Sequence, residues 1–260
     1  MVAYHPLNVL VGTSGYSYKE WKGAFYPKEL KDAEMLRFYA ERFATVEINN
    51  TFYKMPTPEL LARWAAEVPA GFRFVLKAPR RITHEKRLAG AAYTTARLFE
   101  VAASLGEKQG PFLFQLPPYS KKDTARLRDF LGLLPAGTRA AFEFRDPTWD
   151  DDEVREALRA GGAALCLADT DDDQGDPRLA PTARFGYLRL RRAGYDDAAL
   201  GAWADRIRAQ PWDEAFVFFK HEDEARGPEL AGRLIALLRG SSAATGSSPR
   251  WPGRGSGRSR

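Results

Sequence analysis

Eight short apolar runs alternate with helical patterns along this chain of 260 residues, and nearly every run ends in a polar or charged residue where it gives way to a loop. The runs span 9–12, 45–51, 72–77, 112–115, 140–145, 164–169, 187–191 and 216–220. Ser14, Glu47 with Asn49, Lys77, Gln115, Glu143 with Arg145, Asp169, Arg189 and Lys220 close them in turn. Strands that alternate with helices predict a parallel sheet, and in a closed βα barrel the C-terminal strand ends build the active site. The order therefore predicts a single TIM-type (β/α)8 barrel over 1–240, with a site at one mouth.

Helical patterns fall at 30–43, 58–68, 93–105, 123–134, 151–160, 198–209 and 228–238. In the first, Leu36, Tyr39, Ala40 and Phe43 form an apolar face opposite Lys31, Glu34, Arg37 and Glu41. Thr57 before Pro58, Asp123, and Asp150 or Asp151 supply N-caps. Seven helices serve eight strands. The missing one lies between strands six and seven, where 170–184 is acidic, carries Gly175, Pro177 and Pro181, and shows no apolar period, so an irregular loop is expected. The run Asp171, Asp172, Asp173 lacks the glycine and final glutamate spacing of a calcium-binding EF-hand.

The length and the 44% hydrophobic content suit one sizeable core. No run approaches the roughly 18 uninterrupted apolar residues of a membrane span, and the start lacks the order of a signal peptide, so a cytoplasmic protein without membrane contact is expected. The lone Cys166 lies in an apolar strand and reads as a buried filler. Net charge is +5, but Arg250, Arg254, Arg258 and Arg260 crowd the last twenty residues. Without those four, 35 bases face 34 acids, so the barrel presents no overall basic character for nucleic acid. Residues 241–260, rich in Ser, Gly, Pro and Arg, are expected to be a disordered basic tail with at most weak nucleic-acid binding.

Residues two apart on a strand share a face, so Glu47 points with Asn49, Glu143 with Arg145, and Tyr187 with Arg189 and Arg191. Charges that project into a barrel interior are costly unless paired, which predicts an ion pair such as Glu143 with Arg189. Glu47 and Glu143 are the leading acid/base pair: one carboxylate beside a cation stays ionised while a drier one holds a proton. Lys77, Arg145, Arg189 and Arg191 favour an anionic ligand. His84 is a candidate proton carrier or ligand, whereas His5 and His221 carry little. The aromatic loop Tyr16, Tyr18, Trp21, Phe25, Tyr26 reads mainly as packing, with Tyr18 a candidate ligand contact. No dinucleotide, P-loop or nucleophile-elbow motif occurs.

The segments Gly12-Thr13-Ser14-Gly15-Tyr16-Ser17-Tyr18, Val46-Glu47-Ile48-Asn49-Asn50-Thr51-Phe52-Tyr53, Phe74-Val75-Leu76-Lys77-Ala78-Pro79, Ile82-Thr83-His84, Phe112-Leu113-Phe114-Gln115-Leu116-Pro117-Pro118 and Phe142-Glu143-Phe144-Arg145 strongly resemble the YecE-like family, the domain of unknown function 72. The resemblance implies a βα barrel and no established reaction. It weakens beyond residue 170. The family's Tyr-x-Arg-x-His-Gly turn is replaced here by Tyr187-Leu188-Arg189-Leu190-Arg191-Arg192, and its Phe-Asn-Asn-Asp by Phe218-Phe219-Lys220-His221.

These readings converge on an enzyme without an organic cofactor that acts by carboxylate acid/base catalysis on a small anionic, phosphorylated or sugar-like substrate. Glu47, Glu143, His84 and Asp169 are the expected catalytic groups; Ser14, Tyr18, Asn49, Lys77, Gln115, Arg145 and Arg189 are the expected substrate contacts. A hydrolase or isomerase with Mg or Mn on Glu47, Glu143, Asp169 and His84 is the first alternative. A non-catalytic binder of a metabolite or nucleic acid is the second.

Overall fold

The computed structural model describes residues 7–171, 178–192, 194–220 and 223–240. Eight strands, β1 (Asn8–Thr13), β2 (Thr45–Ile48), β3 (Arg73–Lys77), β4 (Gln109–Gln115), β5 (Ala140–Glu143), β6 (Ala164–Asp169), β7 (Phe185–Leu190) and β8 (Glu214–Phe219), match the eight apolar runs. All neighbouring pairs are parallel, in the order β1-β8-β7-β6-β5-β4-β3-β2. The described residues form seven α-helices: α1 (Met35–Ala40), α2 (Pro58–Glu67), α3 (Ala92–Ala102), α4 (Thr124–Leu131), α5 (Asp152–Ala160), α6 (Asp197–Arg208) and α7 (Arg226–Leu238). The result is a nearly closed TIM-type barrel.

Caps fix the helix starts as the sequence requires. Thr57 Oγ1 accepts from Leu60 N–H, Asp123 from Arg126 N–H and Asp151, rather than Asp150, from Glu153 N–H. Between β6 and β7 the described residues 170–171 and 178–184 form no helix. Their neighbours 172–177, like the tail 241–260, His5 and His221, lie outside the described residues, so the expected acidic loop and disordered tail fall there in whole or in part. Among the described residues no helix is long and apolar enough to cross a membrane.

Two boundaries differ from expectation for local reasons. The first helix begins at Met35 because residues 31–34 form a tighter turn, in which the Glu34 carboxylate accepts from Lys31 N–H at 3.2 Å. Strand β2 stops at Ile48 because Thr51 Oγ1, 2.7 Å from Lys77 O and 3.0 Å from Ile48 O, curls the next residues into a helical turn.

Alternation along the strands separates two apolar layers. Leu10, Val75, Leu113, Cys166, Phe185 and Phe216 are among those that fill the barrel, while the larger cluster packs the strands against the helices. Arg139 and Glu214 pair at the N-terminal end, with the Arg139 guanidinium 5.5 Å from the centre of the Phe216 ring.

The ring of strands meets at β1 and β2, where pairing is confined to a bridge of Ser14 with Glu47. Two devices hold this seam. Tyr39, fully buried on α1, donates its hydroxyl to Thr45 O at 3.0 Å and accepts from Thr13 N–H at 2.8 Å, so one phenol serves both strands. Gly12 permits the approach, since a Cβ there would lie 2.1 Å from Thr45 O. Gly15 then turns in the left-handed region at φ 94° and donates to Glu47 O at 2.8 Å.

Candidate functional site

The site grows out of one face of β7. Tyr187 and Arg189 are two residues apart, both point into the barrel, and both end on the carboxylate of Glu47 from β2. Tyr187 donates its hydroxyl to Glu47 Oε2 at 2.6 Å, and Arg189 Nη2 donates to Oε1 at 2.8 Å. The other arm of the guanidinium, Nη1, donates to Glu143 Oε2 from β5 at 2.6 Å. Glu47, Glu143 and Arg189 are all at most 2% exposed. Burying such charges costs several kcal/mol apiece unless their hydrogen bonds are made. Most are made here, Arg189 Nε excepted: Ser14 Oγ at 2.8 Å and Asn49 Nδ2 at 3.3 Å also donate to Glu47 Oε1. Arg145 Nε lies 3.3 Å and Arg191 Nη1 3.7 Å from Glu143 Oε1. The expected Glu143–Arg189 ion pair is present, and Glu47 joins it.

Charge follows from this geometry. Burial would push the Glu143 carboxyl up, but Arg189 and Arg145 outweigh it and hold it down, from an ordinary 4.5 to about 2. Burial likewise opposes ionisation of Glu47, and Arg189 with the Tyr187 hydrogen bond again overrides it, so Glu47 is also lowered. Both carboxylates are therefore ionised near neutral pH. The expected division, in which a drier partner holds a proton, does not occur, because one guanidinium serves both.

An outer, half-buried tier surrounds this triad. Lys77, at the end of β3, donates to Gln115 Oε1 at 2.8 Å and stands 4.3 Å from the centre of the Phe52 ring. Burial, then the charge of Arg189, lowers its ammonium from 10.5 to about 8, against the pull of Glu47 and Glu143. His84 stacks edge-on against Phe52 with ring centres 4.8 Å apart, and its Nδ1 is 2.9 Å from Thr83 Oγ1. Its pKa is lowered by burial and by the cations Lys77, Arg145 and Arg80. Tyr18 borders the site from the first loop and donates its hydroxyl to Ser14 O at 2.8 Å.

The same chain, from residue 10 to residue 254, matches the family model described as protein of unknown function DUF72. The chain belongs to the DUF72 family. The UPF0759 protein YecE of Escherichia coli K12 is 25% identical over 247 residues, covering 84% of this chain and 90% of that protein. The UPF0759 protein YunF of Bacillus subtilis is 26% identical over 153 residues, 54% of this chain and 52% of that one. Among solved structures, a DUF72 family protein from Thermotoga maritima superposes with a TM-score of 0.75 at 23% identity, covering 89% of this chain and 99% of its own. One from Enterococcus faecalis gives 0.74 at 18% identity, covering 89% and 95%. These superpositions show the fold.

In this DUF72 barrel Asp169 stands apart from the other expected site residues. It lies on the face of β6 opposite Cys166, fully buried, where Arg192 Nε at 2.7 Å and the Tyr195 hydroxyl at 2.7 Å bind its carboxylate. That contact ties the loop after β7 to the outside of the sheet. Glu47, Glu143, Asp169 and His84 thus do not form one ligand set. Among the described residues no group of three or more His, Cys, Asp or Glu side chains is placed to hold a metal ion. A dication between Glu47 and Glu143 would also have to displace the Arg189 guanidinium. Cys166 is buried among apolar side chains, and burial raises its thiol well above the ordinary range, which suits a filler.

Three participants in the candidate site, Arg191, Tyr187 and Phe52, are outside the list of expected site residues, although Arg191 stands among the cations that favour an anion. Tyr187 was legible, since it shares the Arg189 face by a spacing of two. Phe52 carried no such signal, because the turn that brings it under Lys77 depends on Thr51.

Proposed function

We propose that the C-terminal mouth of this barrel binds a small anion and acts on it by proton transfer. The observation that carries the reading is the charge count of one cluster: Arg189, Arg145, Arg191 and Lys77 converge on two carboxylates, both ionised. The surplus is positive, and guanidinium groups pair bidentately with carboxylate or phosphate. Glu47 and Glu143 fix Arg189 by both arms and so set the frame. A carboxyl held near 2 is a weak general base, which leaves proton transfer to Lys77, whose ammonium and amine forms are both populated near neutral pH. His84, kept neutral beside these cations, is the second proton carrier. Asn49, Gln115, Ser14 and Tyr18 orient the ligand around them.

The test is a thermal-melting series of the whole protein with inorganic phosphate, sulfate, acetate and potassium chloride at equal ionic strength. A ligand that binds only the native state raises the melting point. Phosphate or acetate should stabilise the wild type above the chloride control, and Arg191→Gln should remove the gain. Equal melting in all four salts would defeat the proposal.

A further inference from the structure

The crossover from β6 to β7 lacks a helix among its described residues, and a cavity of about 500 Å³ occupies ground against the outer face of β6. Leu165 and Leu167 point to that face and remain half-buried. The cavity does not stop at the outer layer. It is lined by Glu143 and Tyr187 of the barrel interior as well as by Leu167 and Leu179 of the exterior. The sheet itself explains this reach. The β5–β6 ladder consists of two pairs, Ala141 with Ala164 and Phe142 with Leu165. Thr182 from the crossover takes the Leu165 N–H at 2.8 Å. β5 ends one residue beyond the last pair, at Glu143, and the cavity there touches side chains of both faces of the sheet.

Part of the wall is flat and aromatic. Phe144 lies parallel to Trp149, with ring centres 4.2 Å apart and planes within 7°. The Trp149 indole donates to Ser120 O at 2.5 Å, which fixes the pair. Trp212 lines another side, packed so closely on Gly186 that a Cβ there would lie 2.5 Å from the ring. Arg145, which lies against Glu143 in the mouth cluster, also lines the cavity. Arg155 and Arg178 line it too, with Glu143, Asp146 and Asp150 among them, so charged groups and aromatic rings share one space of a volume typical of small-molecule sites.

We infer that this cavity is the second half of the binding site, and that the ligand is an anion carrying a flat aromatic ring. Its carboxylate or phosphate group faces Arg145 and the mouth cations, while its ring enters between β5 and β6 against Phe144, Trp149 and Leu167. Stacking and apolar burial favour a planar ring in such a space over a hydrated chain. The inference rests on the anion-binding reading of the mouth.

Calorimetric titrations with two matched pairs test it: phenylphosphonate against methylphosphonate, and benzoate against acetate. Head group is held within each pair, so the difference reports the ring. The ring should tighten binding roughly tenfold or more in the wild type, from the area it buries. Ala180→Trp, which fills the cavity from the crossover, should abolish that advantage while methylphosphonate and acetate bind as before. Leu179→Trp provides a second filling variant should Ala180→Trp melt early. Simple anions that bind with no benefit from the ring, or a benefit that survives both filled variants, would overturn the aromatic half alone. Failure of all four compounds to bind would overturn the mouth reading and this inference together.

Discussion

Arg189 and Glu47, 142 positions apart in the chain, meet at 2.8 Å inside the barrel with neither more than 2% exposed. The pair joins β7 to β2 across the interior, and the second arm of the same guanidinium reaches Glu143 on β5. One side chain thus ties three strands that are not neighbours in the sheet, and its removal would leave two carboxylates in a dry site.

Arg189→Met should therefore destabilise the fold by about 3–5 kcal/mol, the range for breaking a buried ion pair by deleting one partner. Urea unfolding followed by circular dichroism measures it. Combining the change with Glu47→Gln and Glu143→Gln should recover a large part of the loss, because the unpaired charges disappear with their partner. A triple variant no more stable than the single one would contradict this account.

The lowered carboxyls give the protein an acid limit. Glu143 falls from 4.5 to about 2 on folding, so its contribution is fully present above 4.5 and is lost as pH drops through 4.5 toward 2. Glu47, also lowered, acts in the same direction. Melting temperature should fall steeply between pH 4.5 and pH 2. In Glu143→Gln that dependence should be shallower, although the variant starts less stable at pH 7.

The barrel seam makes a separate prediction. Tyr39→Phe removes the hydroxyl that serves Thr13 N–H and Thr45 O and leaves both buried groups without it, at a cost of about 1–3 kcal/mol. Amide hydrogen exchange should accelerate at Thr13 well before the β7–β8 ladder is affected. Uniform acceleration across all strands would show that the phenol holds the whole core rather than the seam.

The architecture was legible because strand signals are local: eight apolar runs with polar ends suffice to order a parallel barrel, and each run became a strand. The interior pairing was legible too, because a period of two puts Arg189 and Glu143 inside and an unpaired interior charge is too costly to keep. Asp169 was harder. It closes its strand like the others, but one residue of register decides which face it takes, and that register is set by packing of Leu167 on the exterior and Cys166 in the interior. The protonation of the two glutamates was not legible either, since both depend on the two arms of one arginine. Phe52 and the cavity at β5–β6 arise from tertiary turns and a short ladder, which leave no periodic trace.

The proposed anion-binding mouth makes Lys77 its titrating cation. Carbon-13 labelling of lysine side chains, with NMR titration from pH 6 to pH 11, tests it most directly. One Cε resonance, absent from Lys77→Met, should titrate near 8, well below the ordinary 10.5, and should move upward when phosphate is added, because an anion favours the ammonium form. A Lys77 signal that titrates near 10.5, or one near 8 that ignores phosphate, would contradict the account.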